Sequence, residues 1–213
     1  MTAAAPIIHV VDDDKLFRTA VARLLRAAGY QVALYESGDR LLASSPVAEP
    51  GCILLDVRMA GLDGLELQQR LSEQQCILPI VFLTGHGDIP TTVQAIKGGA
   101  EDLLSKPVSK RTLLDAVEGA LARYRERRDR RDRIDDLRAL IATLTPREHE
   151  VFALVARGKL NKQIAFELGT SERTVKAHRH AVMTKLNVQS VAEAVAIAAR
   201  LGLLAPAAGG ENT

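Results

Sequence analysis

Asp56 closes the apolar run at residues 52–55, Cys-Ile-Leu-Leu, and opens a loop that reaches Gly64. A short continuous apolar stretch bounded by turn residues suits a parallel strand covered on both faces. Ligands of open α/β sheets bind at the carboxyl ends of strands, so the Asp56 carboxylate is either a loop cap or a chemical group. Three other apolar runs end in a similar way. Residues 7–11 lead into Asp12, Asp13 and Asp14, residues 80–83 into Thr84-Gly85, and residues 103–104 into Ser105-Lys106-Pro107. If the four strands are parallel, Asp12, Asp13, Asp56, Thr84 and Lys106 gather at one sheet edge. Unit charges ~4 Å apart interact by about 4 kcal/mol at a near-surface dielectric, so clustered carboxylates require a proton or a cation. Oxygen-rich sites of this kind suit Mg²⁺ (or Mn²⁺), which also binds phosphate oxygens. A carboxylate can attack phosphorus to give an aspartyl-phosphate, with a lysine and a hydroxyl holding the phosphoryl oxygens.

The elements that must position these groups follow from periodicity. Residues 15–28 carry a helical stripe of Leu16, Ala20, Leu24 and Ala27-Ala28, stopped by Gly29. Residues 31–35 form a second strand, and Ser37 caps a short helix to residue 43. A third helix runs from about 64 to 74. Asp88 with Pro90 opens a fourth, ending near Gly98-Gly99, and residues 109–123 form a fifth. Strands alternating with helices give a parallel sheet. Right-handed crossovers make it doubly wound, flavodoxin-like, in the order 2-1-3-4-5.

Val-Asp12-Asp13-Asp14, Leu-Asp56-Val-Arg-Met, Thr84-Gly-His-Gly-Asp and Ser-Lys106-Pro107 resemble, in order and spacing, the receiver domain of two-component response regulators. The string from Thr84 to Pro90 is similar to the FixJ-type branch. The resemblance implies that Asp56 is the phospho-acceptor. It implies that Asp13, Asp56 and the backbone carbonyl of Arg58 ligate Mg²⁺, with Asp12 helping through water. Lys106 would pair with the phosphoryl group, Thr84 would be the switch hydroxyl, and Lys106-Pro107 would hold a cis bond. No catalytic residue is implied beyond this site, so the chain is expected to assist only its own aspartyl phosphorylation and dephosphorylation. Two positions depart from the family. Ala60 replaces the usual proline after Met59, which predicts a less rigid acceptor loop. Leu103 replaces the usual aromatic three residues before the lysine, so no ring is available to follow Thr84; either Leu103 is the switch residue, packing in or out in the same way, or the output relies on another element.

The 213 residues suit one or two domains. Aromatics are only 3%, so the cores must be built from Leu, Val, Ile and Ala. Cys52 and Cys76 make no framework and are read as free thiols of a reducing compartment. No apolar run approaches 18 residues and the first residues lack a secretory pattern, which together point to a cytoplasmic protein with no membrane partner. A net charge of +2 hides an asymmetry: residues 1–124 hold 12 Lys and Arg against 15 Asp and Glu, and the remainder hold 16 against 11. That split suggests an acidic, cation-binding half and a nucleic-acid-binding half.

Residues 123–138 alternate charge at helical spacings, as in Glu126/Arg130 and Asp129/Arg133. The fifth helix is expected to continue through them as a charged linker, ending near Leu140. Thr145-Pro-Arg-Glu148 is a capping box with proline at the first helical position. That helix runs to Ala156 and stops at Gly158. Asn161 caps a helix over 162–168 ended by Gly169, Ser171 caps one over 172–186, and Ser190-Val-Ala-Glu193 opens a last one to about Leu201. A short helix, a tight turn and a longer basic helix form a helix-turn-helix. Ile164, Ala165 and Leu168 are expected to pack toward Val175, Val182 and Leu186. Arg173, Thr174, Lys176, Ala177, Arg179 and His180 then face outward, where such a helix enters the major groove.

Residues 144–204 also resemble the LuxR/GerE-type output domain of the FixJ and NarL branch, through Leu144-Thr-Pro-Arg-Glu-His-Glu-Val, Gly158-Lys-Leu-Asn-Lys-Gln-Ile-Ala and the run from Thr174 to Leu186. The resemblance implies base contacts from Lys176, Ala177 and His180, with Arg179 beside them. It implies phosphate contacts from Asn161, Lys162, Arg173, Thr174 and Lys185, and a dimer face on the last helix. The expected organisation is a receiver at 1–124, a charged helical linker at 125–142, an all-α four-helix helix-turn-helix domain at 143–204 and a disordered tail at 205–213. The expected function is a phosphorylation-dependent, promoter-binding transcriptional regulator. Its partners would be a sensor histidine kinase, double-stranded DNA, a second copy on activation and RNA polymerase. The alternative is a phosphorelay or sequestering protein whose helical domain binds protein.

Overall fold

The computed structural model describes residues 5–44, 49–85 and 89–204. The expected helix start at Asp88 and Pro90, and the expected disordered tail, lie outside the described side chains and residues. The chain divides into two compact units, Met1–Arg128 and Asp129–Thr213.

In the first unit, strands β1 (Ile7–Val11), β2 (Gln31–Tyr35), β3 (Gly51–Asp56), β4 (Ile80–Thr84) and β5 (Asp102–Ser105) form one parallel sheet ordered β2-β1-β3-β4-β5. Every residue of β3 and β4 is buried, as continuous apolar strands between two helical layers must be. The helices are α1 (Lys15–Ala27), α2 (Gly38–Ala43), α3 (Gly64–Glu73), α4 (Ile89–Lys97) and α5 (Lys110–Ala142). One core lies on each face of the sheet. Ile53, Leu55 and Phe82 pack with Leu41, Leu67, Leu71 and Ala95. On the opposite face, Ile8, Leu54 and Val81 pack with Val21, Leu25, Leu113 and Val117.

The α1 stripe differs from expectation. Val21, Ala22 and Leu25 are the buried residues, Ala20 is exposed, and Leu16 is 83% exposed. Two apolar rows run along this helix at similar spacing. The sheet takes the row with Phe17, Val21 and Leu25, whose larger side chains bury more apolar area than Ala20 and Ala27 could. Asp14 caps α1, accepting from the Leu16 and Phe17 amides.

The charged stretch is helical throughout, since α5 ends at Ala142. Its last turns are not solvated linker. Leu137, Leu140 and Ile141 pack against the second unit's cluster of Phe152, Val182, Leu186 and Ala194. That unit continues with α6 (Pro146–Ala156), α7 (Asn161–Glu167), α8 (Glu172–Lys185) and α9 (Val191–Arg200). The capping box at Thr145 and Glu148 forms as expected. At α7 the cap position is Leu160 rather than Asn161, with the Gln163 side chain accepting from the Leu160 amide at 2.8 Å. Ile164, Ala165 and Val175 pack together with Val151, Leu154 and Val155. Val182 and Leu186 join the other cluster instead. A helix as long as α8 outreaches the short α7, so only its first half can face that neighbour.

Candidate functional site

The carboxyl ends of β1, β3, β4 and β5 carry the acidic site. Register places Val11 beside Leu55 and Thr84 beside Ser105, so Asp12, Asp56, Thr84 and Lys106 emerge at one edge. One carboxylate oxygen each from Asp12, Asp13 and Asp56 falls within a 4.8 Å cluster. Asp12 is fully buried, Asp56 nearly so, and Asp13 is exposed. Lys106 Nζ donates to Asp12 Oδ2 at 2.7 Å and stands 3.0 Å from Asp56 Oδ2. The Lys106 ammonium also sits 4.3 Å from the centroid of the Phe17 ring, in cation–π contact. The Lys106–Pro107 peptide is cis.

Burial pushes the Asp12 carboxyl above its usual value, countered only in part by Lys106, and the Asp56 charge adds to the rise. Burial also works against the Lys106 charge. Its hydrogen bonds to Asp12 and Asp56 outweigh that and hold it above the ordinary lysine value. The ammonium therefore stays charged and neutralises part of the cluster.

Backbone groups complete the frame. The Asp14 amide donates to Asp12 Oδ1 at 2.9 Å, and the Arg58 amide to Asp56 Oδ1 at 3.4 Å. Arg18 donates from its guanidinium to the Asp12 carbonyl. The Ala60 amide donates to Asp13 Oδ2 at 3.1 Å. A looser acceptor loop was the expectation at Ala60. The alanine instead offers an N–H that proline lacks, and Val57, Met59 and Leu62 of the same loop are buried. Gly64 lets α3 begin against the acceptor strand: a Cβ there would lie 2.3 Å from the Asp56 carbonyl oxygen. Thr84 is buried, and its carbonyl accepts from the Lys106 amide at 2.7 Å. Leu103, beside Phe82 in the sheet, is half-buried against the cluster that contains Phe82 and Tyr124.

Three roles were missed in the sequence. Phe17 and Arg18 sit one turn into α1 and reach back over the site, which their spacing from Asp13 permits. The Ala60 amide carries no sequence signal at all.

In the helical unit, Arg173, Thr174, Lys176, Ala177 and His180 are exposed on α8, as is Lys162 on α7. Two expected contacts have other partners. The half-buried Arg179 donates from its guanidinium to the Asn161 side-chain oxygen, tying α8 to the start of α7. Lys185 lies 2.6 Å from Glu148 and donates to the Thr143 carbonyl at 3.1 Å. Lys185 was expected on a phosphate. Its ammonium instead lies against Glu148, because the capping carboxylate of α6 faces the end of α8. The Glu148 carboxyl lies below its usual value, chiefly through Lys185 and then the Thr145 amide.

A half-buried lysine bridging two aspartates at the carboxyl edge of a 2-1-3-4-5 sheet, ahead of a helix-turn-helix unit, defines a signal-receiving domain joined to an output domain. Residues 8–118 match the family model of the response regulator receiver domain, and residues 142–198 match that of the bacterial regulatory proteins of the luxR family. Nodulation protein W of Bradyrhizobium diazoefficiens is 44% identical over 93% of this chain and 88% of its own length. The transcriptional regulatory protein FixJ of the same organism is 40% identical over 92% of this chain and 96% of its own. The structure of the response regulator StyR aligns with a TM-score of 0.74 at 46% identity, over 92% of this chain and all of that one. Full-length FixJ from B. japonicum aligns at 0.57 and 39%, over 96% and all of that chain. The chain belongs to the response regulators with a LuxR-type output domain and is a transcriptional regulator of the FixJ type. This is not an enzyme family in the usual sense. Among the described residues, no helix is long and apolar enough to cross a membrane.

Proposed function

We propose that Asp56 accepts a phosphoryl group from a sensor histidine kinase and that this event controls dimerisation and binding to promoter DNA. The observation that carries the reading is the Lys106 ammonium, held between Asp12 and Asp56 beside the exposed Asp13 carboxylate. The Asp56 oxygen attacks phosphorus, an O–P bond forms, and the N–P bond of the kinase's phosphohistidine breaks. Its electron pair returns to the imidazole, which takes a proton from solvent. Lys106 stays charged throughout and meets the new phosphoryl oxygens, while Thr84 at the adjacent strand end offers its hydroxyl. Asp12, Asp13, Asp56 and the Arg58 carbonyl are the groups that would hold Mg²⁺, and three clustered oxygens fit a hard cation. When bound, that ion supplies charge neutralisation around the transferred group.

Aspartyl phosphorylation replaces the single charge of the Asp56 carboxylate with roughly −1.5 to −2 on the phosphoryl group. Shifting an equilibrium from 1:99 to 99:1 takes about 5.5 kcal/mol, and a few charge-assisted hydrogen bonds at ~1.5–3 kcal/mol each can supply it. In the output unit, Lys176, Ala177 and His180 are the base-reading side chains. Lys162, Arg173, Thr174 and the start of α7 at Asn161 meet phosphates. The expected domain limits at 124, 142 and 204 belong to this reading, as do α9 as a dimer face, RNA polymerase as a partner and the cytoplasm as its location.

Asp56→Asn is expected to bind operator DNA in a gel-shift titration without responding to a phosphodonor plus Mg²⁺. Continued response moves the acceptor elsewhere. Lys176→Ala is expected to weaken specific binding by about 1–3 kcal/mol, and an unchanged titration removes the proposed reading face.

A further inference from the structure

One buried side chain joins α3 to α4. Gln68 is only 5% exposed, and its amide nitrogen donates to the Ala95 carbonyl at 3.1 Å. That carbonyl lies in the last turn of α4 and also accepts from the Ala100 amide at 3.0 Å. Carbonyls at a helix end lack intrahelical partners, so Gln68 caps α4 from a neighbouring helix. Gly98 shapes the seat, because a Cβ there would lie 2.4 Å from Gln68 Oε1. Beside this contact the two helices leave a polar groove of about 560 Å³ lined by Leu65, Gln69, Ser72, Glu73, Gln94 and Lys97.

The other end of α3 is fixed to the acceptor strand. The Gly64 amide donates to the Val57 carbonyl at 2.9 Å, and its missing side chain lets the backbone approach Asp56. About one helical turn separates Gly64 from Gln68, so a shift at the end of β3 reaches Gln68 through stiff structure. The start of α4 is reached from Thr84 through residues 85–88 alone. The helix is thus tied to α3 at its C-terminal end through Gln68.

We propose that Gln68 is a positioning residue that couples the load on Asp56 to the placement of α4. The proposal rests on the phosphorylation switch argued above. The test uses full-length wild-type protein, Gln68→Ala, Gly98→Ala and the double variant. Operator affinity is titrated with and without beryllofluoride plus Mg²⁺, and phosphoryl uptake from a small phosphodonor is timed separately. Gln68→Ala is expected to cut the beryllofluoride-induced gain in affinity by about fivefold while uptake stays within about twofold. Gly98→Ala does the same by displacing the amide. It adds nothing in the Gln68→Ala background, where its methyl group has room. Gln68→Met, which keeps the volume and loses the donor, replaces Gln68→Ala if that variant fails to fold. A lowered Tm with an unchanged gain gives Gln68 a structural role only and overturns the proposal. A wild-type protein that gains nothing from beryllofluoride overturns the switch itself, and this coupling with it.

Discussion

The Ala60 amide donates to the Asp13 carboxylate at 3.1 Å, joining the loop after the acceptor strand to the loop after β1. Ala60→Pro removes that donor and fixes φ in its place. The exposed carboxylate then loses one of the groups that orient it. We expect Mn²⁺ binding, followed by calorimetry, to weaken by a few-fold, in line with a solvent-exposed hydrogen bond of about 0.5–1.5 kcal/mol. Equal or tighter binding would show that proline's rigidity matters more than the lost N–H.

Lys106→Met tests the bridge between Asp12 and Asp56. It leaves a fully buried carboxylate without its cation. The expected loss is about 2–3 kcal/mol in urea denaturation without divalent ions, and saturating Mg²⁺ should recover part of it. The same loss with and without Mg²⁺ would separate the lysine from the metal-binding cluster.

His9 gives the receiver a dependence on pH. Its ring is buried and stacked on Tyr35, with Nδ1 at 3.1 Å from the tyrosine hydroxyl, and burial lowers its pKa from 6.5 to about 4. Nε2 has no partner among the described residues. Above pH 6.5 the ring is neutral in both folded and unfolded chains and contributes no slope. Between pH 6.5 and 4 the unfolded chain takes up a proton that the folded chain refuses, so stability falls as pH falls, by up to ~3 kcal/mol. His9→Gln should flatten that part of the urea-denaturation profile. An unchanged profile would assign the slope to carboxylates.

Lys185 and Glu148 are expected to act as one unit. Lys185→Gln and Glu148→Gln should each lower the Tm of the output unit, and the double variant should lose no more than the worse single one. Additive losses would mean that the 2.6 Å pair carries little coupling.

These sites show where the sequence was readable. The sheet order and the gathering of Asp12, Asp13, Asp56 and Lys106 could be read because Asp12 and Asp56 directly follow apolar runs, with Asp13 and Lys106 one residue further on, and parallel pairing leaves those ends nowhere else to go. The α1 face was misread because two apolar rows share one period, and only the sheet chooses between them. The internal partners of Arg179 and Lys185 could not be read because charge on a helix shows nothing of its partner. Asn161 and Glu148 come from other helices, 18 and 37 residues away in sequence. Ala60 and Gln68 were invisible for a simpler reason. One acts through its backbone, and the other is a lone polar residue whose burial only the packed helices reveal.

The ion pair of Lys185 with Glu148 also governs how ionic strength enters. A lysine committed to the protein's own carboxylate neutralises no phosphate and so displaces none of the counterions condensed on duplex DNA. Each phosphate neutralised contributes a slope of about −0.9 to log K against log salt. Counting every basic residue of α8 would therefore overstate the slope by nearly one unit, since Lys185 is paired with a carboxylate while Arg179, held by a neutral amide oxygen, keeps its charge. The DNA binding proposed above is therefore expected to depend less steeply on salt than a count of the basic residues on α8 would give.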